Sequence, residues 1–109
     1  MIKMGQTVTQ DFTLHNPVTG FVQNADFQPQ CEIFADDIDV SILTPVVINR
    51  LGFNGIYRVT FTVSIANGFA YGSSYNVDVI ATVNSITTRA TVLVFDLEAA
   101  PKPKAVFAI

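Results

Sequence analysis

Two runs of strict alternation constrain this chain more than any other feature. From Tyr57 to Val63, the residues Tyr57, Val59, Phe61 and Val63 fall on one face, while Arg58, Thr60 and Thr62 fall on the other. From Tyr75 to Val83, the residues Tyr75, Val77, Val79, Ala81 and Val83 alternate with Asn76, Asp78, Ile80 and Thr82. Period-two patterning in β-branched and aromatic residues predicts half-buried antiparallel strands. Ala66-Asn67-Gly68 and Tyr71-Gly72-Ser73-Ser74 supply the breakers between the two runs.

The rest of the chain follows the same rhythm. Thr7 to His15 alternates, with Val8, Gln10, Phe12 and Leu14 sharing a face. Asn16-Pro17-Val18-Thr19-Gly20 reads as a turn, and Phe21 and Val22 as a short hairpin partner. Asn24 to Asp26 is a second break. Phe27 to Ala35 holds the next strand, with Pro29 near its start because proline cannot donate to a central ladder. Asp36-Asp37-Ile38-Asp39 is a loop, and Val40 to Asn49 holds one or two short strands around Pro45. Leu51 to Gly55 breaks the chain before Tyr57. Asn84-Ser85 is a two-residue hairpin turn, and the last strand runs from Ile86 to Leu97. Within it, Val92-Leu93-Val94-Phe95 is apolar on both faces, as expected where both sides are covered.

Apolar residues nowhere recur at helical spacing for more than a turn. About seven short strands at regular spacing predict an all-β fold, an immunoglobulin-like Greek-key β-sandwich with an extended C-terminal tail. Residues 1–6 form an N-terminal arm, 7–97 the sandwich, and 98–109 a Pro/Lys linker followed by an apolar tail. With 109 residues there is one domain and one core.

Composition narrows the function. Half the residues are hydrophobic and 14% are charged, against about 25% in an average soluble domain. That excludes disorder and predicts a surface partly covered by neighbours. A net charge of −3 gives no basic patch for nucleic acid. No run approaches a membrane span, and the N-terminus lacks the apolar stretch of a signal peptide, so synthesis in the cytoplasm is expected. Cys31 is the single cysteine. It excludes an internal disulfide, and its alternation with Gln30 and Glu32 predicts a buried strand residue.

The chemistry-bearing residues are few. His15 is the only histidine and lies on a polar strand face next to a turn, without partners for a metal or a catalytic dyad. Asp36, Asp37 and Asp39 could supply oxygen ligands for calcium, but they lack the glycine and distal glutamate of an EF-hand loop; solvation of a turn is the simpler reading. No nucleophile is paired with a base, so neither an enzyme nor a bound cofactor is expected. Tyr75 opens a Tyr-x-Val-x-Val strand behind Gly72, the setting of a tyrosine corner, in which the hydroxyl bonds an upstream backbone group. Phe53, Phe69 and Tyr71 sit in loops, where they either close the end of the sandwich or present rings to a glycan or protein partner. Val106, Phe107 and Ile109 lie in the apolar tail behind Pro101-Lys102-Pro103-Lys104. They dock either on their own domain or on a neighbouring subunit.

Three segments resemble the small Ig-like domains of tailed-bacteriophage virion proteins. They are Asn16-Pro17-Val18-Thr19-Gly20 after the early strand, Asn54-Gly55-Ile56-Tyr57-Arg58-Val59, and Gly72-Ser73-Ser74-Tyr75-Asn76-Val77 leading to Ala81-Thr82-Val83. The resemblance covers roughly residues 7–97 and leaves the tail outside it. It implies a virion location and a non-enzymatic structural role. The leading form of that role is a capsid decoration or cement protein present in many copies; a chain that starts with Met and stands alone favours a stand-alone decoration or adaptor protein over a module appended to a tail protein. A neck or tail adaptor is the alternative within the virion. The implied partners are the major capsid protein or neck and tail proteins, further copies of the chain itself, and, in a third reading, a host-surface glycan bound through Phe53, Phe69 and Tyr71.

Overall fold

The computed structural model describes residues 1–36, 38–50 and 52–101. The fold is all-β: β1 (Thr7–Thr13), β2 (Gln30–Ala35), β3 (Ser41–Leu43), β4 (Val47–Asn49), β5 (Ile56–Thr62), β6 (Ser74–Val83) and β7 (Ile86–Asp96). They form two antiparallel sheets, a small one in the order β1-β5-β4 and a larger one in the order β3-β2-β6-β7. The expected all-β class is therefore observed.

The two alternating runs become β5 and β6, and they lie in different layers. Their apolar faces, Tyr57, Val59 and Phe61 in one sheet and Tyr75, Val77 and Val79 in the other, are buried in a single core. Val8 and Val47 join from the small sheet, and Cys31, Ile33 and Phe95 from the large one. Each such side chain contributes about 1.5–3 kcal/mol of burial relative to exposure. The stretch from Val40 to Asn49 also divides between layers, because β3 pairs with β2 while β4 pairs with β5. Pro45, which cannot extend a ladder, occupies the crossing. Pro29 immediately precedes β2, leaving Phe27 exposed in the connection rather than in the strand.

Asn84 and Ser85 both take positive φ, 51° and 63°, as a type I′ hairpin turn requires. The last strand departs from expectation near its end. Val77 faces Leu93 but Asp78 faces Thr91, so Val92 is an extra residue in β7. This bulge reverses the strand's facing: Thr88 and Ala90 oppose the inward Ala81 and Val79, whereas beyond it Leu93 and Phe95 oppose the inward Val77 and Tyr75. Val92 and Leu93 both lean on the core, and Val94, which faces outward, is 64% exposed. The doubly apolar run thus marks a bulge in an edge strand, not a strand covered on both faces.

The N-terminal arm lies along the sandwich. Ile2 bridges Leu97 in parallel, Gly5 N–H donates to Val63 O at 2.6 Å, and Ile2 and Met4 pack against the core. The linker and tail beyond Pro101, including Val106, Phe107 and Ile109, lie outside the described residues.

Candidate functional site

Strand directions define two ends of the sandwich. One end gathers the N-terminal arm, the β2–β3 loop, the β5–β6 crossover and the exit of β7. The opposite end gathers the β1–β2, β4–β5 and β6–β7 connections.

At the first end the crossover is pinned by Tyr75. Its ring is 1% exposed, and its hydroxyl accepts from the Ala70 N–H at 2.7 Å. This is the expected bond to an upstream backbone group. Phe69, 2% exposed, packs edge-on to Tyr75 at 4.8 Å and lies beside Phe61 and Phe95. The aromatic cluster therefore joins β5, the crossover, β6 and β7. Tyr75→Phe keeps the ring and leaves the Ala70 N–H without this acceptor. A loss of about 1–2 kcal/mol in urea denaturation, with unchanged far-UV circular dichroism, is expected.

At the other end Tyr57 does the same work for the β1–β2 connection, its hydroxyl accepting from Ala25 N–H at 3.0 Å. One residue on, Asp26 accepts from the Asn84 N–H at 3.1 Å and the Ser85 N–H at 2.8 Å, capping the β6–β7 turn. Asn16 organises the preceding hairpin: its Oδ1 accepts from the Val18 and Thr19 N–H groups, and His15 bridges Val22. Gln23 N–H donates to Leu14 O, Leu14 N–H to Gly55 O, and Asn24 Oδ1 accepts from Gly55 N–H, so this hairpin leans on the β4–β5 loop. Large apolar side chains are among those facing solvent there: Val18, Phe21, Val22, Phe27 and Phe53 are all exposed. The Arg50 guanidinium stacks over the Phe53 ring at 5.0 Å.

The outer sheet faces carry the charges. On the small sheet, Asp11 receives Arg58 Nε at 2.7 Å and Arg50 Nη1 at 3.1 Å, linking β1, β5 and the end of β4. The Arg58 hydrogen bond foremost, aided by the charges of both guanidinium groups, holds the Asp11 carboxyl below its ordinary value despite some desolvation. Asp11 therefore supports the folded state above the ordinary carboxylate pKa, and its contribution fades as pH falls through the depressed one. On the large sheet, Arg89 bridges Glu32 and Asp78, each at 3.1 Å, and lies over Phe34. Asp78 also accepts from Thr91 at 2.7 Å. A shallow depression of about 450 Å³ opens beside this cluster, lined by Phe34, Ile38, Asp39, Asn76 and Arg89 among others. Two of its charged groups, Asp78 and Arg89, are already paired with each other.

A second depression, of about 440 Å³, lies between β2 and the β3–β4 crossing, with Cys31 among its lining residues. Cys31 is buried, and burial first, then the charges of Asp78 and Glu32, push its thiol up to about 11. Against an ordinary value near 9, that lowers the thiolate fraction at pH 8 about 100-fold. Labelling of native protein at pH 8 by a disulfide reagent should be slower by at least that factor than labelling in denaturant. Equal rates would mean the thiol is not enclosed.

The residues singled out from sequence do not converge. Phe53 lies before β5 and Tyr71 after it, at opposite ends of the domain, while Phe69 is in the core. No shared ring platform for a glycan is assembled. His15 is exposed on the first hairpin, and Asp36 and Asp39 are exposed in the β2–β3 loop, with Asp37 outside the described residues. Among the described residues no three metal-ligating side chains cluster, and no helix is long and apolar enough to cross a membrane. The sequence reading missed the Tyr57 and Asp26 contacts. Their partners are 32 and 58–59 residues away, and no local pattern announces them. Comparison with protein-family models, with curated proteins and with solved structures finds no match.

Proposed function

We propose that the chain is an immunoglobulin-like Greek-key domain that serves as a non-enzymatic structural protein of a tailed-bacteriophage virion. The strand orders support the Ig-like reading. Lettered from β1 as strand B, they become B-E-D and C′-C-F-G, and Tyr75 then opens strand F, where a tyrosine corner belongs. Fold alone does not fix function. The observation that carries the functional reading is the distribution of surface chemistry. The ion pairs on the sheet faces are closed on themselves, while large apolar side chains face solvent from the loops at the two ends, Val18, Phe21, Val22 and Phe53 at one and Ile38, Val40, Ile65 and Tyr71 at the other. Apolar groups presented on loops by a rigid frame act by docking.

Capsid decoration is the leading form, with a loop end seated on the head surface in many copies. A neck or tail adaptor is the alternative. Deleting the reading frame from the phage separates them. Loss of a decoration protein yields complete particles that release DNA at lower temperature. Loss of an adaptor yields filled heads without tails. Particles unchanged in assembly and heat resistance would refute both.

A further inference from the structure

β7 is the outer strand of the large sheet, and its open edge is only partly used. Leu97 N–H donates inward to Ser73 O, whereas on the open side Ile2 N–H donates to Asp96 O and Glu98 N–H donates to Ile2 O. Backbone groups of alternate residues in a strand point to the same side, so the N–H and C=O of Val94 also face the open edge. Among the described residues, Ile2 is the one that bridges to this edge. The side chains at the same place are apolar: Val94 is exposed, and Val92 and Leu93 are half-buried. An edge of this kind is a template for another strand. No charge or proline lies between Ala90 and Phe95. The blunting device is the bulge at Val92, which disfavours a long regular partner more than a short one.

The chain itself supplies a short apolar segment close by. Residues 105–109, Ala-Val-Phe-Ala-Ile, are apolar at every position. They follow Glu98, which stands on this same edge, after six intervening residues that include Pro101 and Pro103. A position beside Val94 is about 14 Å from Glu98, four residues back along the strand and one strand spacing across. The seven residues from Glu98 to Ala105 reach up to about 23–25 Å, enough to turn round Ile2 and come back. On so short a spacer, the segment meets its own edge at an effective concentration of about millimolar, ahead of a second copy in dilute solution. Ile65 and Tyr71, exposed near the chain exit, offer apolar contact but lie in the β5–β6 crossover, outside any strand. We propose that residues 105–109 add to the open edge of β7 within the same copy, antiparallel and starting beside Val94, as an eighth strand. Main-chain bonds then pair the Val94 N–H and C=O, and the added side chains shield the flanks of Val92 and Val94. This closure concerns the isolated chain and does not depend on the virion role.

Amide hydrogen exchange, read residue by residue by NMR, tests it on the full chain and on the variants Phe107→Asp and Phe107→Pro. The first variant places a charge in the added strand, and the second breaks the strand. The Val94 amide should exchange about 10-fold faster or more in both variants than in wild type. The Phe95 amide, which faces β6, should be unchanged and so reports that the sandwich is intact. Wild-type protection at Val94 should not vary with protein concentration. Equal Val94 exchange in all three proteins overturns the proposal. Protection that fades on dilution gives the edge to a second copy and overturns it as well. So do changes confined to Ile65 and Tyr71, or to Phe21 and Phe53, because the segment would then sit on side chains elsewhere.

Discussion

Phe69→Ala should destabilise the domain by about 3–5 kcal/mol, the range for truncating a well-packed aromatic residue in a core. The ring is 2% exposed and touches Phe61, Tyr75 and Phe95, side chains drawn from both sheets. Removing it opens a cavity where the crossover between layers is anchored. Against a total stability of roughly 5–15 kcal/mol, this is a large share, and a melting-temperature drop of about 15 °C or more should accompany it. The same change also bears on the glycan reading. Were Phe69 a surface ring for sugar, its loss would alter binding and leave the melting temperature unchanged.

The second large effect is expected at Gly55. Its φ is +76°, a region that costs an L-residue about 1–2 kcal/mol. A Cβ there would overlap Val22 Cγ1 and stand 2.9 Å from Gln23 N and 3.0 Å from Gln23 O. The Gln23 backbone cannot swing aside as a side-chain tip would, because its N–H is bound to Leu14 O. Gly55→Ala should therefore cost about 2–4 kcal/mol in all, and it should displace the first hairpin. Gly20 makes an instructive control. It too has positive φ, but nothing lies within 4 Å of its Cβ position, so Gly20→Ala should cost only the backbone term. Equal losses at the two sites would mean that the hairpin does not lean on the β4–β5 loop.

What the sequence made legible was local. Alternation at 57–63 and 75–83 marked β5 and β6 and the faces they bury, because side-chain period is a property of a single strand. The turn at Asn84-Ser85 and the bond of the Tyr75 hydroxyl to the upstream backbone were legible for the same reason, since their chemistry is complete within a few residues. What depends on which strand lies beside which was not. The bulge at Val92 appears only once Val77 and Asp78 are paired with Leu93 and Thr91. The division of Val40–Asn49 between two layers likewise needs both partner strands in place. Phe53, Phe69 and Tyr71 looked alike as loop aromatics. Their fates diverged because the crossover folds Phe69 inward over Phe61, while Arg50 covers one face of Phe53 at the far end. The juxtaposition of the first hairpin and the β4–β5 loop escaped notice because Val22 and Gly55, which bring them together, are 33 residues apart.

The most direct test of the proposed virion role is quantitative mass spectrometry of gradient-purified phage particles from a lysate in which the chain is expressed. A structural component will co-purify at a fixed ratio to the major capsid protein, in many copies for decoration and in a ring-sized number for an adaptor. Its absence from particles, while abundant in the lysate, would contradict that role outright.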